Sequence, residues 1–326
     1  MNTRERFQAV MSFQPVDRLP VIEWATWWDK TIERWQSEGL PVSDRYEVTR
    51  YFELDMNYQG WIPVLGEGCP APACHGAPLI GSIDEYLKIK PFLYPSDAAR
   101  RNPWSEWACE QRAGNAAVWM TLEGFFWFPR RLLGIENHFY TYYDQPELIH
   151  LICADLRDFH LRTLHELLNV CIPDFMTFGE DMSYNRGPMV SEDIFNEFIR
   201  PYYQQVTPLL REHGIKIIVD SDGDICKLTD WFEGCGVDGF LPLERQAGTD
   251  IAQLRQNHQR QIYIGAFDKM TMNRGEAAMR AEFERLMPVA RQGGFIISCD
   301  HQTPPGVSLQ DYRLYLKLFN EYARSV

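Results

Sequence analysis

From residue 174 to the carboxyl terminus, short apolar runs alternate with longer stretches of helical period, and most runs stop at an acid or an imidazole. The clearest are Ile215-Lys216-Ile217-Ile218-Val219, running into Asp220-Ser221-Asp222-Gly223-Asp224, and Phe295-Ile296-Ile297, running into Ser298-Cys299-Asp300-His301. Apolar runs this short, rich in branched side chains, read as strands buried on both faces, and strands alternating with helices build a parallel sheet. A buried strand ending in ionisable groups is costly unless those groups meet one another, a metal or a substrate. In parallel α/β folds, ligands bind at the carboxyl ends of the strands. The pattern therefore predicts both an architecture and the place of a site.

Strands are predicted at Leu19–Glu23, Asn57–Pro63, Ala117–Leu122, Asp174–Gly179, Lys216–Asp220, Gly239–Pro242, Gln261–Ala266 and Phe295–Ser298. A helix over Thr3–Met11 precedes the first as an N-terminal extension. Residues 64–115 carry prolines and little periodicity, and form a long decoration before strand three with a hairpin expected around Gly76–Tyr94. Long helices are expected over Glu147–Asn169, from Ser191 to Glu212, over Glu276–Gln292 and over Leu309–Ser325. Eight strands alternating with helices predict the α/β class and a (β/α)8 TIM barrel. The 326 residues suit one barrel, and no linker or shift in composition divides residues 1–326 into two domains.

Composition narrows the function. A net charge of −13 repels phosphate backbones and argues against a nucleic-acid partner. No apolar stretch reaches bilayer length, and the charged start Met1-Asn2-Thr3-Arg4-Glu5-Arg6 is not a secretory leader, so a cytoplasmic enzyme off the membrane is expected. The eight cysteines are scattered and read as reduced thiols. Cys69 and Cys74, followed by His75, read as an ordinary loop rather than a metal clip, since no second ligand pair lies nearby.

At a barrel mouth, Glu23, Glu123, Glu180, Asp181, Asp220, Asp222, Glu244, Asp268, Asp300 and His301 would converge. So many carboxylates need a cation. One resolution is a divalent metal held by Asp220, Asp222 and His301; the other is pairing with Arg186, Arg130, Arg131, Arg245 or Lys269. Asp220 and Asp222 are two apart and share a side if the chain stays extended. An oxygen, oxygen, nitrogen set leaves coordination positions open and accommodates zinc, manganese, iron or magnesium. His301, Glu180 and Asp181 are the candidate acid–base groups. Trp24 and Trp27 after strand one, and Phe126 and Trp127 after strand three, are candidates for an aromatic substrate wall, with Glu23 and Arg186 as polar contacts.

Several segments resemble the uroporphyrinogen decarboxylase superfamily. They are Arg4-Glu5-Arg6-Phe7 through Pro15-Val16-Asp17-Arg18-Leu19-Pro20-Val21, then Gly187-Pro188-Met189-Val190-Ser191, Gly236-Val237-Asp238-Gly239, Gly265-Ala266-Phe267-Asp268 and Asp300-His301-Gln302-Thr303-Pro304-Pro305. They follow the superfamily's order over nearly the whole chain, and the resemblance implies the same barrel. Haem-pathway members decarboxylate a tetrapyrrole without metal or cofactor, holding its carboxylates on an arginine-rich segment after the first strand. Here that place reads Glu23-Trp24-Ala25-Thr26-Trp27-Trp28-Asp29, with an acid and no arginine, which sets like charge against such a substrate. Other members are cobalamin-linked methyltransferases; the coenzyme M branch holds zinc through His-x-Cys after strand five and a cysteine after strand eight. The aligned positions here are Asp220, Asp222 and His301, harder ligands that suit an oxygen substrate.

The resemblance thus implies methyl transfer between a small oxygen- or nitrogen-bearing substrate and a corrinoid supplied by a partner protein, assisted by zinc or a similar ion. A decarboxylase acting on a tetrapyrrole or smaller acid is the alternative. A non-catalytic barrel that binds a ligand or corrinoid protein is the third reading.

Overall fold

The computed structural model describes residues 1–326. Seven strands, β1 (Met56–Trp61), β2 (Ala116–Glu123), β3 (Phe175–Gly179), β4 (Lys216–Asp220), β5 (Gly239–Leu241), β6 (Ile262–Phe267) and β7 (Phe295–Cys299), form one curled sheet in chain order. Every neighbouring pair is parallel. The register sets strand ends level: Gly179 lies opposite Asp220, Asp220 opposite Leu241, and Phe267 opposite Cys299. Residues beyond those positions therefore emerge at one rim.

The expected first strand, Leu19–Glu23, makes no backbone ladder. It is an extended segment held mainly by side chains in the seam between β1 and β7. The Asp55 amide donates to the Val21 carbonyl, and the Asp55 carboxylate accepts from the Val21 amide and from Arg18. At its far end the Glu23 carboxylate accepts from the Ser298 hydroxyl, the Cys299 amide and the Tyr312 hydroxyl. Polar side chains at both ends replace the ladder. Ile22 nonetheless points inward, packed with Ala117, Trp119, Phe175, Ile218, Leu241, Ile262, Ile264 and Ile296. The segment is an eighth stave of the barrel, and the interior is a filled core.

Helix α1 (Thr3–Met11) plugs the amino end. Asn2 and Glu5 cap it reciprocally, and Phe7, Val10 and Met11 enter the inner core. Phe7 stacks on Phe175 at 6.3 Å, and the Arg4 guanidinium pairs with Asp174 at 2.8 Å. With that end stoppered, ligand access is from the carboxyl end.

Two further expectations change. The hairpin around Gly76–Tyr94 is instead a helix over Ile83–Ile89, because Ser82 accepts from the Glu85 amide and Glu85 accepts from the Gly81 amide. The helix from Ser191 to Glu212 divides into Glu192–Phe198 and Arg200–Glu212, since Pro201 has no amide to continue the ladder. All eight cysteines are unpaired, and no helix is long and apolar enough to cross a membrane.

The Glu23 tether gives stability a pH dependence. Burial pushes its carboxyl up to about 7 against the pull of its donors. Between an unfolded value near 4.5 and about 7 the folded chain holds a proton that the unfolded chain has lost. This contribution is therefore complete in acid and is lost as pH rises through that window. It amounts to about 3 kcal/mol. Denaturant titrations near pH ~5 and pH ~8 should show Glu23→Gln losing less stability between the two than the parent; an equal loss would place the titration elsewhere.

Candidate active site at the carboxyl ends of the strands

A cavity of about 550 Å³ opens at this rim, lined in part by Trp24, Arg45, Gln59, Trp61, Trp119, Trp127, Asp181, Asp220, Asp222, His301 and Gln302. Its chemistry comes from the residues just past β3, β4, β5 and β7. One group of three ligating side chains gathers here, Asp222, Glu244 and His301, with ligand atoms within 4.8 Å of one another and each half-buried. His301 Nε2 stands 3.6 Å from Asp222 Oδ2, and this carboxylate raises the imidazole's pKa while burial opposes it. Glu244 Oε2 accepts from the Gly223 amide at 3.0 Å, which draws the loop after β5 onto the loop after β4. Burial first, then Asp222, raises the Glu244 carboxyl.

The expected triad thus keeps Asp222 and His301, and Glu244 stands where Asp220 was expected. The cause is local. Asp220 is still in β4, its carbonyl accepting from the Glu180 and Asp181 amides. The strand ends there, so the side chain at 222 swings toward the loops after β5 and β7. Asp220 lines the cavity floor. Its carboxyl is pushed well up by burial and then by Asp222 and Asp181, with no hydrogen bond among the causes.

The other expected site residues divide. Trp24 lines the cavity; its indole N–H donates to the Cys299 carbonyl at 2.6 Å, and its ring meets His301 edge-on at 6.3 Å. Trp127 also lines it, with the Arg130 guanidinium over its ring at 5.1 Å. Asp181 faces the cavity with a left-handed φ of 42° and pairs with Arg130 at 3.4 Å. Trp27 and Phe126 are core: Trp27 packs on Trp35, Phe52 and Tyr312, and Phe126 is fully buried against His138. Glu23 is spent on the seam, and Arg186 is exposed in the turn between the short paired strands Ser183–Tyr184 and Gly187–Pro188, away from the cavity.

Glu180 borders the cavity, yet both its oxygens are engaged. Oε1 accepts from the Phe125 amide and the Tyr203 hydroxyl, Oε2 from the Phe126 and Trp127 amides. The carboxylate thereby satisfies the free amides at the start of the helix Trp127–Leu133. Burial pushes it up to about 7 despite these four donors. Its role is to hold the loop that carries Trp127, and no oxygen is left over for acid–base work. Of the cations weighed against a metal, Arg131 pairs with Glu123, Arg245 with Asp250 at 3.7 Å, and Lys269 with Asp300 at 3.2 Å, its ammonium also reaching Glu244 of the cluster at 3.9 Å. Cys69, Cys74 and His75 do not join a ligand cluster.

Sequence reasoning missed several lining residues, among them Trp119, Gln302, Arg45, Gln59 and Trp61. The last two alternate along β1 at the inward positions, a signal that the polar composition of that strand concealed.

A closed α/β core with an acid and imidazole cluster over a cavity at the carboxyl ends of its strands is the layout of a barrel enzyme. The uroporphyrinogen decarboxylase (URO-D) family model matches residues 114–322, and this chain belongs to that family. Among solved structures, a methyltransferase from Methanosarcina mazei is similar over 99% of both chains at 14% identity, with a TM-score of 0.72. Weaker likenesses are a putative vitamin-B12-independent methionine synthase from Listeria monocytogenes (11% identity, 95% of this chain and 98% of that one, TM-score 0.40) and a xylose isomerase domain protein from Planctomyces limnophilus (12%, 88% and 94%, TM-score 0.45). No curated protein matches the chain in sequence.

Proposed function

We propose that this protein transfers a methyl group between a small oxygen- or nitrogen-bearing substrate and a corrinoid presented by a partner protein. The observation that carries the reading is the convergence of Asp222, Glu244 and His301, from three different loops, to within 4.8 Å over the cavity. Two carboxylates and an imidazole fit a divalent ion such as zinc, manganese or iron. When bound there, such an ion supplies Lewis acidity toward a substrate oxygen. The methyltransferase description of the Methanosarcina mazei structure is in keeping with this reading.

The chain's own groups have defined tasks. Asp220, whose carboxyl burial and then Asp222 and Asp181 push well up, faces the cavity without a protein partner; it gives a proton to the oxygen or nitrogen that loses the methyl group, and takes one back in the reverse direction. Asp181, held by Arg130, keeps a second carboxylate at the rim. Trp24, Trp61 and Trp127 bound the substrate on apolar faces and exclude water from the transferring carbon. The experiment is incubation of the metal-loaded protein with a reduced corrinoid protein and a panel of methyl ethers and methylamines. Visible absorbance should report methylation of the corrinoid with at least one of them; no spectral change with any would end the reading.

Decarboxylation is the second reading, favoured by the family's own description and by a guanidinium, Arg45, at the cavity wall. Conversion of uroporphyrinogen to coproporphyrinogen would establish it in place of the first.

A further inference from the structure

Arg45 differs from the other cations around the mouth. Arg130, Arg131, Arg245 and Lys269 each pair with a carboxylate of the chain. Arg45 forms no salt bridge. Its Nη1 donates to Gln59 Oε1 at 2.7 Å, and its Nη2 donates to Asn57 Oδ1 at 3.3 Å and to the Trp24 carbonyl at 3.4 Å. All three acceptors are neutral. Burial works against the charge, with only Tyr46 and Asp44 nearby to favour it. The Asp44 carboxylate is turned away, accepting from the Tyr46 and Glu47 amides at the start of the helix Arg45–Tyr51. A half-buried guanidinium with no carboxylate partner costs the fold free energy, and this one borders the cavity.

The wall beside it is continuous. Trp24 accepts from Arg45 through its carbonyl and meets His301 with its ring, and His301 leads to Asp222. A ligand lying along Trp24 has a cation at one end and the acid and imidazole cluster at the other. Indole faces on the cavity wall suit a flat ligand. Arg45 lies before residues 114–322, which the family model matches.

We propose that Arg45 is an anion subsite, taking the carboxylate of a small planar acid whose opposite end faces Asp222, Glu244 and His301. The placement of the reacting end rests on the methyl-transfer reading; the subsite itself does not. Gln59 and Asn57 orient the guanidinium, and the substrate carboxylate completes the pair that the chain leaves open. The substrate class is thus an aromatic acid bearing a methylated oxygen or nitrogen distal to its carboxylate.

The test is calorimetric titration of the metal-free protein with para-methoxybenzoate and with its neutral isostere para-methoxybenzamide. A charge-assisted pair predicts roughly ten- to hundredfold tighter binding of the acid. Arg45→Gln should erase that preference while leaving the amide's affinity unchanged. Gln59→Glu, which sets a carboxylate of the chain beside Arg45, should erase it as well and serves if the first variant fails to fold. Equal binding of both probes by the parent protein, binding of neither, or a preference that survives both substitutions would overturn the proposal. Preference without corrinoid methylation would leave the subsite standing and remove the methyl-transfer reading.

Discussion

Replacing His301 with alanine should strip the protein of tightly bound divalent metal and of activity together. His301 supplies the one nitrogen donor of the cluster, and Asp222 and Glu244 are left as two carboxylates facing each other without it. Loss of an outer-shell partner already costs a metal site about 10–100-fold in affinity, and loss of a ligand should cost at least as much. Asp222→Ala and Glu244→Ala should behave alike. Asp220→Asn is the informative contrast. Asp220 lies in the cavity outside the cluster, so zinc or manganese affinity should hold while turnover falls by roughly a hundredfold or more, the usual contribution of a positioned acid. Metal binding followed by elemental analysis and titration separates the cases. Should Asp220→Asn lose the metal and Glu244→Ala keep it, the ligand set would be Asp220, Asp222 and His301, and the proton donor would have to be sought elsewhere.

The second large effect falls on the fold. Glu180→Ala should destabilise the protein by about 3–5 kcal/mol, the range for removing one member of a buried charged network. Three amides, of Phe125, Phe126 and Trp127, and the Tyr203 hydroxyl lose their acceptor at once. Each unsatisfied donor costs about 1–3 kcal/mol before relaxation. For a chain of this size the melting temperature should fall by roughly 10 °C. Gly124→Ala tests the same place from the other side, because a Cβ there would sit 2.1 Å from Glu180 Cδ. Both variants should also weaken substrate binding, since Trp127 is carried on the loop that Glu180 holds. A Glu180→Ala protein of parental stability but without activity would reverse the assignment and make the carboxylate a reacting group.

The sequence revealed most where a single physical signal dominated. β4 was legible at Lys216–Asp220 because a branched apolar run, interrupted only by Lys216, stopped at an acid, and β7 was legible because Phe295-Ile296-Ile297 ran toward Asp300 and His301. Leu19–Glu23 has the composition of a strand, yet its Val21 amide donates to the Asp55 carboxylate and its Glu23 carboxylate accepts from the Ser298 hydroxyl, in place of a neighbouring ladder. Composition does not distinguish the two. Glu244 was visible as one strand-end acid among many. Its selection over Asp220 depends on where β4 stops and on a three-residue β5, both set by tertiary packing. The run Phe125-Phe126-Trp127-Phe128 looked like a wall for a ligand. Only Trp127 borders the cavity, because the turn into the helix Trp127–Leu133 sends the three phenylalanines into the core. Arg45 carries no local signal at all: its meaning lies in a partner it lacks.

The way the barrel closes has a mechanical consequence. Seven staves share continuous backbone ladders, which open only cooperatively. The eighth, Leu19–Glu23, is joined to its neighbours largely through the side chains of Asp55, Glu23 and Ser298, while Leu19, Val21 and Ile22 are buried in the core. Trp24, the residue next in chain, reaches both Arg45 and His301. The placement of Trp24 at the cavity wall is therefore set by side-chain bonds and core packing at this stave rather than by a backbone ladder.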